Sequence, residues 1–179
     1  MQIQQYYSKH NIDDSKIINT YCSLSVCKYK SSTEIMKKGN MTTVNQCYIL
    51  DIESKSDMDM RSILVANGDT VPFNVERVYY LYGVPGNESR GAHAHKELYQ
   101  LIVALNGSFD VVLDDGVNKK TFTLSDPNQG LLVVPGLWRD LNNFSSPNVV
   151  CLVLASMTYS EDDYIRNYED FLDFKQNNL

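Results

Sequence analysis

The stretch Arg90–Lys96, RGAHAHK, decides how the rest of the chain is interpreted. In an extended strand alternate side chains point to the same side, so His93 and His95 share one face while Ala92 and Ala94 take the other. Two imidazoles beside small alanines, with a cation at each end of the stretch, predict a site built inside a β-scaffold.

Short apolar runs separated by turn residues lie on both sides of this stretch. Residues 73–82 alternate and place Arg77 and Tyr79 on one face of a strand. The pair Asn106-Gly107 joins two apolar runs and is typical of a two-residue β-hairpin. About eight short strands with turns at close spacing predict an all-β sandwich or jelly roll.

The two ends of the chain differ from this pattern. Residues 1–43 are polar and rich in Ser, Asn and Lys, and we expect them to be an extension of unknown role that precedes a domain at 44–179. Near the other end, Ser160 followed by Asp163 resembles a capping box, and apolar residues then recur at helical spacing. This predicts a helix over residues 161–174 that is packed on the barrel and uses its tyrosines for packing.

Composition argues against several classes of function. The 179 residues carry a net charge of -6, which argues against nucleic acid or an anionic membrane as the main partner. No apolar run approaches the roughly 20 residues of a membrane span, and the N-terminus lacks a signal-peptide core. The four cysteines show no C-x-x-C spacing, so we expect reduced thiols in a cytoplasmic protein rather than a zinc site.

A jelly roll that carries His-x-His resembles the cupin family, and the resemblance covers residues 86–107 and 130–143. Cupin metal sites add a glutamate shortly after the histidine pair and a third histidine further on. Tyr99 or Gln100 stands at the first of these positions, and Arg139 stands at the second. Because arginine has no lone pair to donate, we expect no metal at this site. We also expect no other cofactor.

Without a metal, the histidine pair is left with acid–base chemistry. A neutral imidazole has a pKa of about 6.5, so either histidine can accept or donate a proton at about pH 7. The cations near the pair indicate an anionic ligand, because arginine forks bind phosphate bidentately. The predicted substrate-binding residues are Arg61, Arg77, Tyr79, Arg90, Lys96, Gln100 and Arg139.

Several motifs carry a closer resemblance. They are, in chain order, Arg77-Val78-Tyr79-Tyr80, the stretch RGAHAHK, Asn106-Gly107-Ser108, VLDDG at 112–116 and DYIRNY at 163–168. With these motifs, residues 44–174 resemble the nucleotide-sugar 3,4-ketoisomerases, which are WxcM-like cupins that act on dTDP-4-keto-6-deoxyglucose.

The resemblance implies a metal-free homodimer with strands shared between subunits. It implies conversion of a dTDP-linked 4-keto-6-deoxyhexose to its 3-keto isomer, which feeds a 3-aminotransferase in the biosynthesis of glycan or antibiotic sugars. By motif, His93 and His95 are the catalytic pair, and Arg90 and Tyr79 help to hold substrate and intermediate. Some relatives have a histidine where this chain has Arg139, so a role for a histidine there does not transfer.

The implied reaction passes through an enediolate. A C4 ketone acidifies the hydrogen on C3, and loss of that hydrogen gives an enediolate that is reprotonated at C4. We hypothesise that His93 is the base at C3 and that His95 shuttles the proton between oxygens or helps to reprotonate C4. A cation or a tyrosine hydroxyl beside the oxyanion would stabilise it without a metal. The galacto or gluco configuration of the product stays open.

Three other functions remain compatible with the sequence. A nucleotide-sugar 3,5-epimerase is also built on a jelly roll, but its site is expected to be a His–Asp dyad, and it leaves the ketone at C4. A metal-dependent cupin would be sensitive to a chelator. A catalytically silent sugar-binding cupin would bind ligand without exchanging the hydrogen on C3.

Overall fold

A computed structural model describes residues 42–52, 54–56, 62–64 and 70–177. Most of the predicted extension at 1–43 therefore lies outside the described residues, as do Arg61, Cys22 and Cys27. Among the described residues, no helix is long and apolar enough to cross a membrane.

The described chain is mostly strand, with one α-helix near its end and two short 3-10 turns, Val44–Gln46 and Glu161–Asp163. The elements are β1 (Tyr48–Asp51), β2 (Ser54–Ser56), β3 (Ser62–Leu64), β4 (Arg77–Tyr82), β5 (Arg90–His95), β6 (Gln100–Asn106), β7 (Phe109–Asp114), β8 (Lys119–Leu124), β9 (Gln129–Val133), β10 (Trp138–Asn142), β11 (Val150–Ala155), β12 (Tyr164–Ile165) and α1 (Tyr168–Asn177).

The strands form two five-stranded antiparallel sheets. The first has the order β1-β9-β6-β11-β4, the second has the order β12-β5-β10-β7-β8, and β2 and β3 form a separate pair. Side chains of both sheets share one core, which includes Ile102 and Val153 of the first sheet and Leu113 and Leu141 of the second. This arrangement confirms the predicted all-β jelly roll of the cupin type.

Strand β4 shows how the sequence pattern sets the two faces of the first sheet. Its residues alternate between half-buried and exposed, as predicted. Tyr79 and Leu81 pack against the core, whereas Val78, Tyr80 and Tyr82 are 57%, 63% and 72% exposed on the outer face. Within the described chain β11 is its one neighbour, so β4 is an edge strand that presents an apolar face to solvent.

The predicted hairpin at Asn106-Gly107 is wrong. β6 pairs with β9 and β11, whereas β7 pairs with β8 and β10, so the turn between β6 and β7 carries the chain from one sheet to the other. The first five residues of β6 are all buried, and this strand takes a central place with a neighbour on each side. An Asn-Gly pair predicts the reversal, here with Gly107 at φ +72°, but it does not determine which strands pair.

The predicted C-terminal helix is confirmed, but it begins at Tyr168 rather than at residue 161. Residues 161–163 form a 3-10 turn, and β12 then pairs with β5 before the helix starts. The predicted capping box fails because Ser160 makes no side-chain capping bond and because the Asp163 carboxylate contacts a histidine instead.

Asn167 caps the helix that does form. Its Oδ1 accepts hydrogen bonds from the backbone N–H groups of Glu169 at 2.7 Å and Asp170 at 3.2 Å. The helix buries Phe171 completely in a cluster with Ala94 of β5. Helix α1 therefore covers the face of the second sheet that lies behind the histidines.

Lys175 links the end of α1 to Thr42 and Gly136 by hydrogen bonds. Its ammonium group donates to the backbone oxygen of Thr42 at 2.6 Å and to that of Gly136 at 3.0 Å. The Gly136 N–H in turn donates to the backbone oxygen of His95 at 2.7 Å. Because Lys175 is 5% exposed, these acceptors replace the water that its charge loses on burial.

A bulge in β5 sets the register of this strand, which carries both histidines, against β10. The register of β5 with β10 shifts between Arg139 and Asp140, where Ala92 is the extra residue. Gly91 has φ +114° and Ala92 has φ +50°, and the Ala92 N–H donates to Asp140 Oδ1 at 2.9 Å. As a result, His93 lies directly opposite Arg139.

Gly91→Ala is expected to destabilise the fold more than Gly83→Ala. Both glycines have positive φ, but a Cβ on Gly91 would lie 2.7 Å from the Arg139 backbone oxygen, whereas a Cβ on Gly83 would meet nothing within 4 Å. We expect Gly83→Ala to lower the free energy of unfolding by about 1 kcal/mol and Gly91→Ala to lower it by about 3 kcal/mol. Urea unfolding measures both, and equal losses would contradict the close approach at the bulge.

Candidate active site

A cleft of about 410 Å³ opens between the two sheets. Strand β4 of the first sheet lines one side, β5 and β10 of the second line the other, and residues after β11 complete the rim. The lining residues are Arg77, Tyr79, Leu81, Arg90, Gly91, His93, Arg139, Leu141, Tyr159 and Tyr164. None of these described lining residues is acidic, so the cleft is cationic and aromatic.

His93 lies in the wall of this cleft, with both ring nitrogens engaged. Its Nδ1 is 2.8 Å from the Gly91 backbone oxygen, and its Nε2 is 2.9 Å from an Arg139 guanidinium nitrogen. A carbonyl oxygen can only accept and a guanidinium can only donate. We therefore assign the ring proton to Nδ1, and Nε2 uses its lone pair to accept from Arg139.

His95 is buried immediately behind His93, as the predicted shared face requires. The two ring centroids lie 4.9 Å apart, edge to face. His95 Nδ1 is 2.7 Å from Asp163 Oδ2, whereas His95 Nε2 has no hydrogen-bond partner among the described residues. The second predicted catalytic residue thus belongs to a His–Asp pair that the strand pattern did not indicate.

Both histidines are neutral at pH 7. Burial, together with the charge of Arg139, lowers the pKa of His93 from 6.5 to about 3. Burial lowers the pKa of His95 to about 4, because the bond to Asp163, which favours the protonated ring, only partly offsets it. The contact between His95 and Asp163 is therefore a hydrogen bond from a neutral ring, and each imidazole keeps one N–H and one lone pair.

Tyr79 lies on the opposite wall of the cleft, and Gln100 supports it from behind. Gln100 Nε2 donates to the Tyr79 hydroxyl oxygen at 2.8 Å, so the hydroxyl proton of Tyr79 is left for another acceptor. Burial raises the pKa of Tyr79, which keeps this phenol protonated. Gln100 is 1% exposed and does not line the cleft, so the structure places it behind Tyr79, and its predicted contact with substrate stays a prediction.

The arginines supply the positive charge of the cleft. Arg139 is 4% exposed, and its Nε and one terminal nitrogen have no hydrogen-bond partner among the described residues; the same holds for Arg77 Nε. Arg77 also lies over the rings of Tyr79 at 5.3 Å and Tyr159 at 5.7 Å. Arg90 lies at the exposed rim, where it pairs with Glu88 at 2.8 Å.

Lys96 is not brought to the cleft. Its ammonium group donates to the Asp162 backbone oxygen at 2.7 Å, on the exposed surface. As the residue next to His95, it points away from the face that carries both histidines. The remaining predicted cation, Arg61, lies outside the described residues.

The sequence did not point to Tyr159, Asp163 or Tyr164 as site residues. The Tyr164 ring lies 5.0 Å from the ring of His93 and 4.4 Å from that of His95, and it lines the cleft, so its predicted role in helix packing is wrong. The signal available was the motif DYIRNY itself, which follows β11 and contains both Asp163 and Tyr164. Its spacing suited a helix start equally well.

The described residues do not fit a cupin metal site. No group of three or more His, Cys, Asp or Glu side chains in the described ranges could hold a metal ion. Tyr99 or Gln100 stands at the first ligand position after the histidine pair and Arg139 stands at the second, and Arg139 already occupies the Nε2 lone pair of His93.

A jelly roll that encloses neutral imidazoles beside buried guanidinium groups is a cupin suited to proton transfer on an anionic ligand. The chain belongs to the WxcM-like, C-terminal family, whose family model matches residues 45–176. This match confirms the resemblance carried by the sequence motifs.

Relatives of known activity share much of this chain. It is 47% identical over 122 residues to the TDP-4-oxo-6-deoxy-alpha-D-glucose-3,4-oxoisomerase of Aneurinibacillus thermoaerophilus, with 67% of this chain and 87% of the relative covered. The structure of a 3,4-ketoisomerase from Helicobacter canadensis is 40% identical, with a TM-score of 0.69 over 73% of this chain and 97% of that chain. A histidine-to-asparagine mutant of the 3,4-ketoisomerase from Thermoanaerobacterium thermosaccharolyticum, in complex with TDP-4-keto-6-deoxyglucose, is 32% identical, with a TM-score of 0.71 over 75% of this chain and 97% of that chain.

Sugar epimerases are more distant. A 4-keto-6-deoxy sugar epimerase from the novobiocin biosynthetic gene cluster of Streptomyces spheroides is 16% identical, with a TM-score of 0.56 over 66% of this chain and 67% of that chain. A likeness at this level shows a shared fold alone.

We expect neither His93 nor His95 to titrate between about pH 7 and pH 5. Because both pKa values lie below 6.5, the unfolded chain binds more protons than the folded chain between pH 6.5 and about 4. The free energy of unfolding should therefore fall as the pH is lowered through this range. NMR of the imidazole nitrogens measures the pKa values, and thermal unfolding at matched pH gives the second readout. A midpoint of about 6.5 for either ring would contradict the assignment.

Proposed function

We propose that this protein is a metal-independent nucleotide-sugar 3,4-ketoisomerase that converts dTDP-4-keto-6-deoxyglucose to a dTDP-3-keto-6-deoxyhexose. The observation that carries the proposal is the pair of neutral imidazoles, His93 and His95, held on one face at an arginine-lined cleft. The chain is also 47% identical to a 3,4-oxoisomerase of this substrate class.

The positive charge of the cleft suits the diphosphate group of a nucleoside diphosphate sugar. Guanidinium groups bind phosphate bidentately and also donate to carbonyl and enediolate oxygens. We assign Arg90 at the rim, with Arg77, to the diphosphate, and we assign the buried Arg139 to the sugar oxygens. A cleft of about 410 Å³ is within the usual size range of small-molecule sites.

The reaction moves one hydrogen from C3 to C4 and needs no oxidant or reductant. His93, which lines the cleft, takes the C3 proton, while the electron pair of that C–H bond forms the C3–C4 double bond and the C4 carbonyl becomes an oxyanion. The C3 hydroxyl then gives its proton to the C4 oxyanion, the electron pair of that O–H bond forms the new C3 carbonyl, and the electron pair of the C3–C4 double bond takes up a proton at C4. His95 and Tyr79 are the groups that carry the oxygen-bound proton.

Arg139 must leave His93 before that imidazole can act as a base, because the guanidinium occupies the Nε2 lone pair at 2.9 Å. An anionic substrate draws the guanidinium toward its own oxygens. This exposes the lone pair and offsets the positive charge that lowers the pKa of His93. Substrate binding and activation of the base are therefore coupled through one side chain.

A nucleotide-sugar 3,5-epimerase is the second candidate. It is favoured by the hydrogen bond between His95 and Asp163, because a His–Asp dyad is the arrangement expected of such an enzyme. Both enzymes abstract a proton next to a C4 ketone. Only the ketoisomerase moves the ketone to C3.

We place the enzyme in the cytoplasm, in the biosynthesis of deoxyamino sugars for glycans such as O-antigen. A ketone at C3 is the group that an aminotransferase converts to an amine. The free, buried thiols of Cys47 and Cys151 suit a reducing compartment.

We further propose that two copies of the chain pair through the outer face of β4. Val78, Tyr80 and Tyr82 are exposed there, and their neighbours across β11 include Leu152 and Leu154 of an apolar cluster on the same face. A twofold axis beside this edge strand would bring the same apolar surface of each subunit together.

Proton NMR of the protein with dTDP-4-keto-6-deoxyglucose in D2O is expected to show a 3-keto product with deuterium at C4, with or without a chelator. His93→Asn should abolish turnover and leave TDP binding intact, because asparagine cannot take up the C3 proton. Lys96→Gln is the matched control, since this neighbouring side chain lies outside the cleft and its loss should leave turnover unchanged.

Other outcomes of that experiment point elsewhere. Deuterium at C3 and C5 with the ketone kept at C4 would identify an epimerase. Binding without exchange at C3 or C4 would contradict both enzymes, and loss of activity on adding the chelator would contradict metal independence.

Tyr80→Asp is expected to convert a dimer to a monomer, because the interface would have to bury an unpaired carboxylate. Val117→Asp is the matched control, since Val117 is 82% exposed in the turn between β7 and β8 of the other sheet. Sedimentation velocity measures the mass in solution. A monomeric wild-type protein, or a dimer that survives Tyr80→Asp, would rule out this interface.

A further inference from the structure

Asp163 holds the end of the histidine strand by three contacts. Its Oδ2 lies 2.7 Å from His95 Nδ1, its Oδ1 accepts the Glu97 N–H at 2.7 Å, and its backbone oxygen accepts the Lys96 N–H at 2.9 Å. The Asp163 side chain is 8% exposed. Bonds to both carboxylate oxygens and to the backbone fix the orientation of this side chain toward His95.

These contacts decide which nitrogen of His95 carries the proton. A carboxylate only accepts, so Nδ1 carries the hydrogen and the lone pair is left on Nε2. That nitrogen is buried and has no hydrogen-bond partner among the described residues. The centroid of the His95 ring lies 4.9 Å from that of His93 and 4.4 Å from that of Tyr164, and both of these residues line the cleft.

We propose that Asp163 is a positioning residue that keeps His95 as the Nδ1–H tautomer, so that His95 Nε2 is a proton acceptor in the reaction. The role of His95 in the reaction rests on the proposed function. Arg139 occupies the Nε2 lone pair of His93 in the free protein. Of the two imidazoles, His95 is therefore the one whose lone pair has no hydrogen-bond partner among the described residues. Asp163 thereby acts on the chemistry through His95.

The competing role for Asp163 is purely structural, as a tie between the turn that precedes β12 and the end of β5. Asp163→Asn separates the two roles. The Glu97 N–H needs an acceptor, so the asparagine carbonyl oxygen keeps that bond and its NH2 group faces His95 Nδ1. Nδ1 must then accept, the ring proton moves to Nε2, and the lone pair on Nε2 is lost while the tie is kept.

NMR of the imidazole nitrogens reads the tautomer directly. We expect Nδ1–H for His95 in the wild-type protein and Nε2–H in Asp163→Asn, with similar unfolding temperatures. With dTDP-4-keto-6-deoxyglucose, kcat should fall by about 10⁴-fold while KM changes little, as when the Asp of a Ser-His-Asp triad is replaced by Asn. Asp162→Asn is the matched control, because this exposed neighbour meets Lys96 through its backbone oxygen. It should change neither the tautomer nor kcat.

Three results would overturn the proposal. They are an Nε2–H tautomer of His95 in the wild-type protein, a switched tautomer with kcat unchanged, and a loss of kcat with the tautomer unchanged, which would leave Asp163 a structural tie. The NMR comparison uses the protein without substrate. A wild-type protein with no isomerase activity would therefore count against the proposed function, while the tautomer of His95 would still test the positioning by Asp163.

Discussion

The buried guanidinium of Arg139 constrains everything around it, because a fixed charge in a protein interior needs acceptors or counter-charges. The chain offers it the lone pair of His93 at 2.9 Å. Its charge also helps to keep both imidazoles neutral. The contact exists because the bulge at Gly91 and Ala92 sets His93 opposite Arg139, so one irregularity in strand pairing produces both the geometry and the electrostatics of the cleft.

Two changed positions of the cupin motif work together here. Arg139 stands where a third metal-binding histidine is expected, and Gln100 stands at or next to the position of the glutamate. Gln100 holds the Tyr79 hydroxyl at 2.8 Å, and Arg139 supplies N–H donors, so the cleft presents hydrogen-bond donors where other cupins hold a cation. Oriented donors of this kind stabilise a developing oxyanion without a Lewis acid.

Local geometry was predictable from the sequence, whereas long-range pairing was not. Strand periodicity predicted the jelly roll and the shared face of His93 and His95, because both depend on neighbouring residues alone. The hairpin at Asn106-Gly107 and the early helix start were wrong, because each depended on partners distant in the chain. Asp163 lies 68 residues from His95, and no spacing rule distinguishes it from a helix cap. The family is confirmed, while the roles of the site residues stay predictions.

The order of the chain has a consequence for how the protein is made. When the ribosome has synthesised β11, every strand of the first sheet is present. Asp163, Tyr164 and Lys175, which links the end of α1 to Thr42 and Gly136, have not yet been synthesised. At that stage His95 lacks the carboxylate to which it is hydrogen-bonded in the folded domain. Assembly of the site therefore requires residues that follow β11, and His95 of β5 gains its carboxylate partner from a residue 68 positions further along the chain.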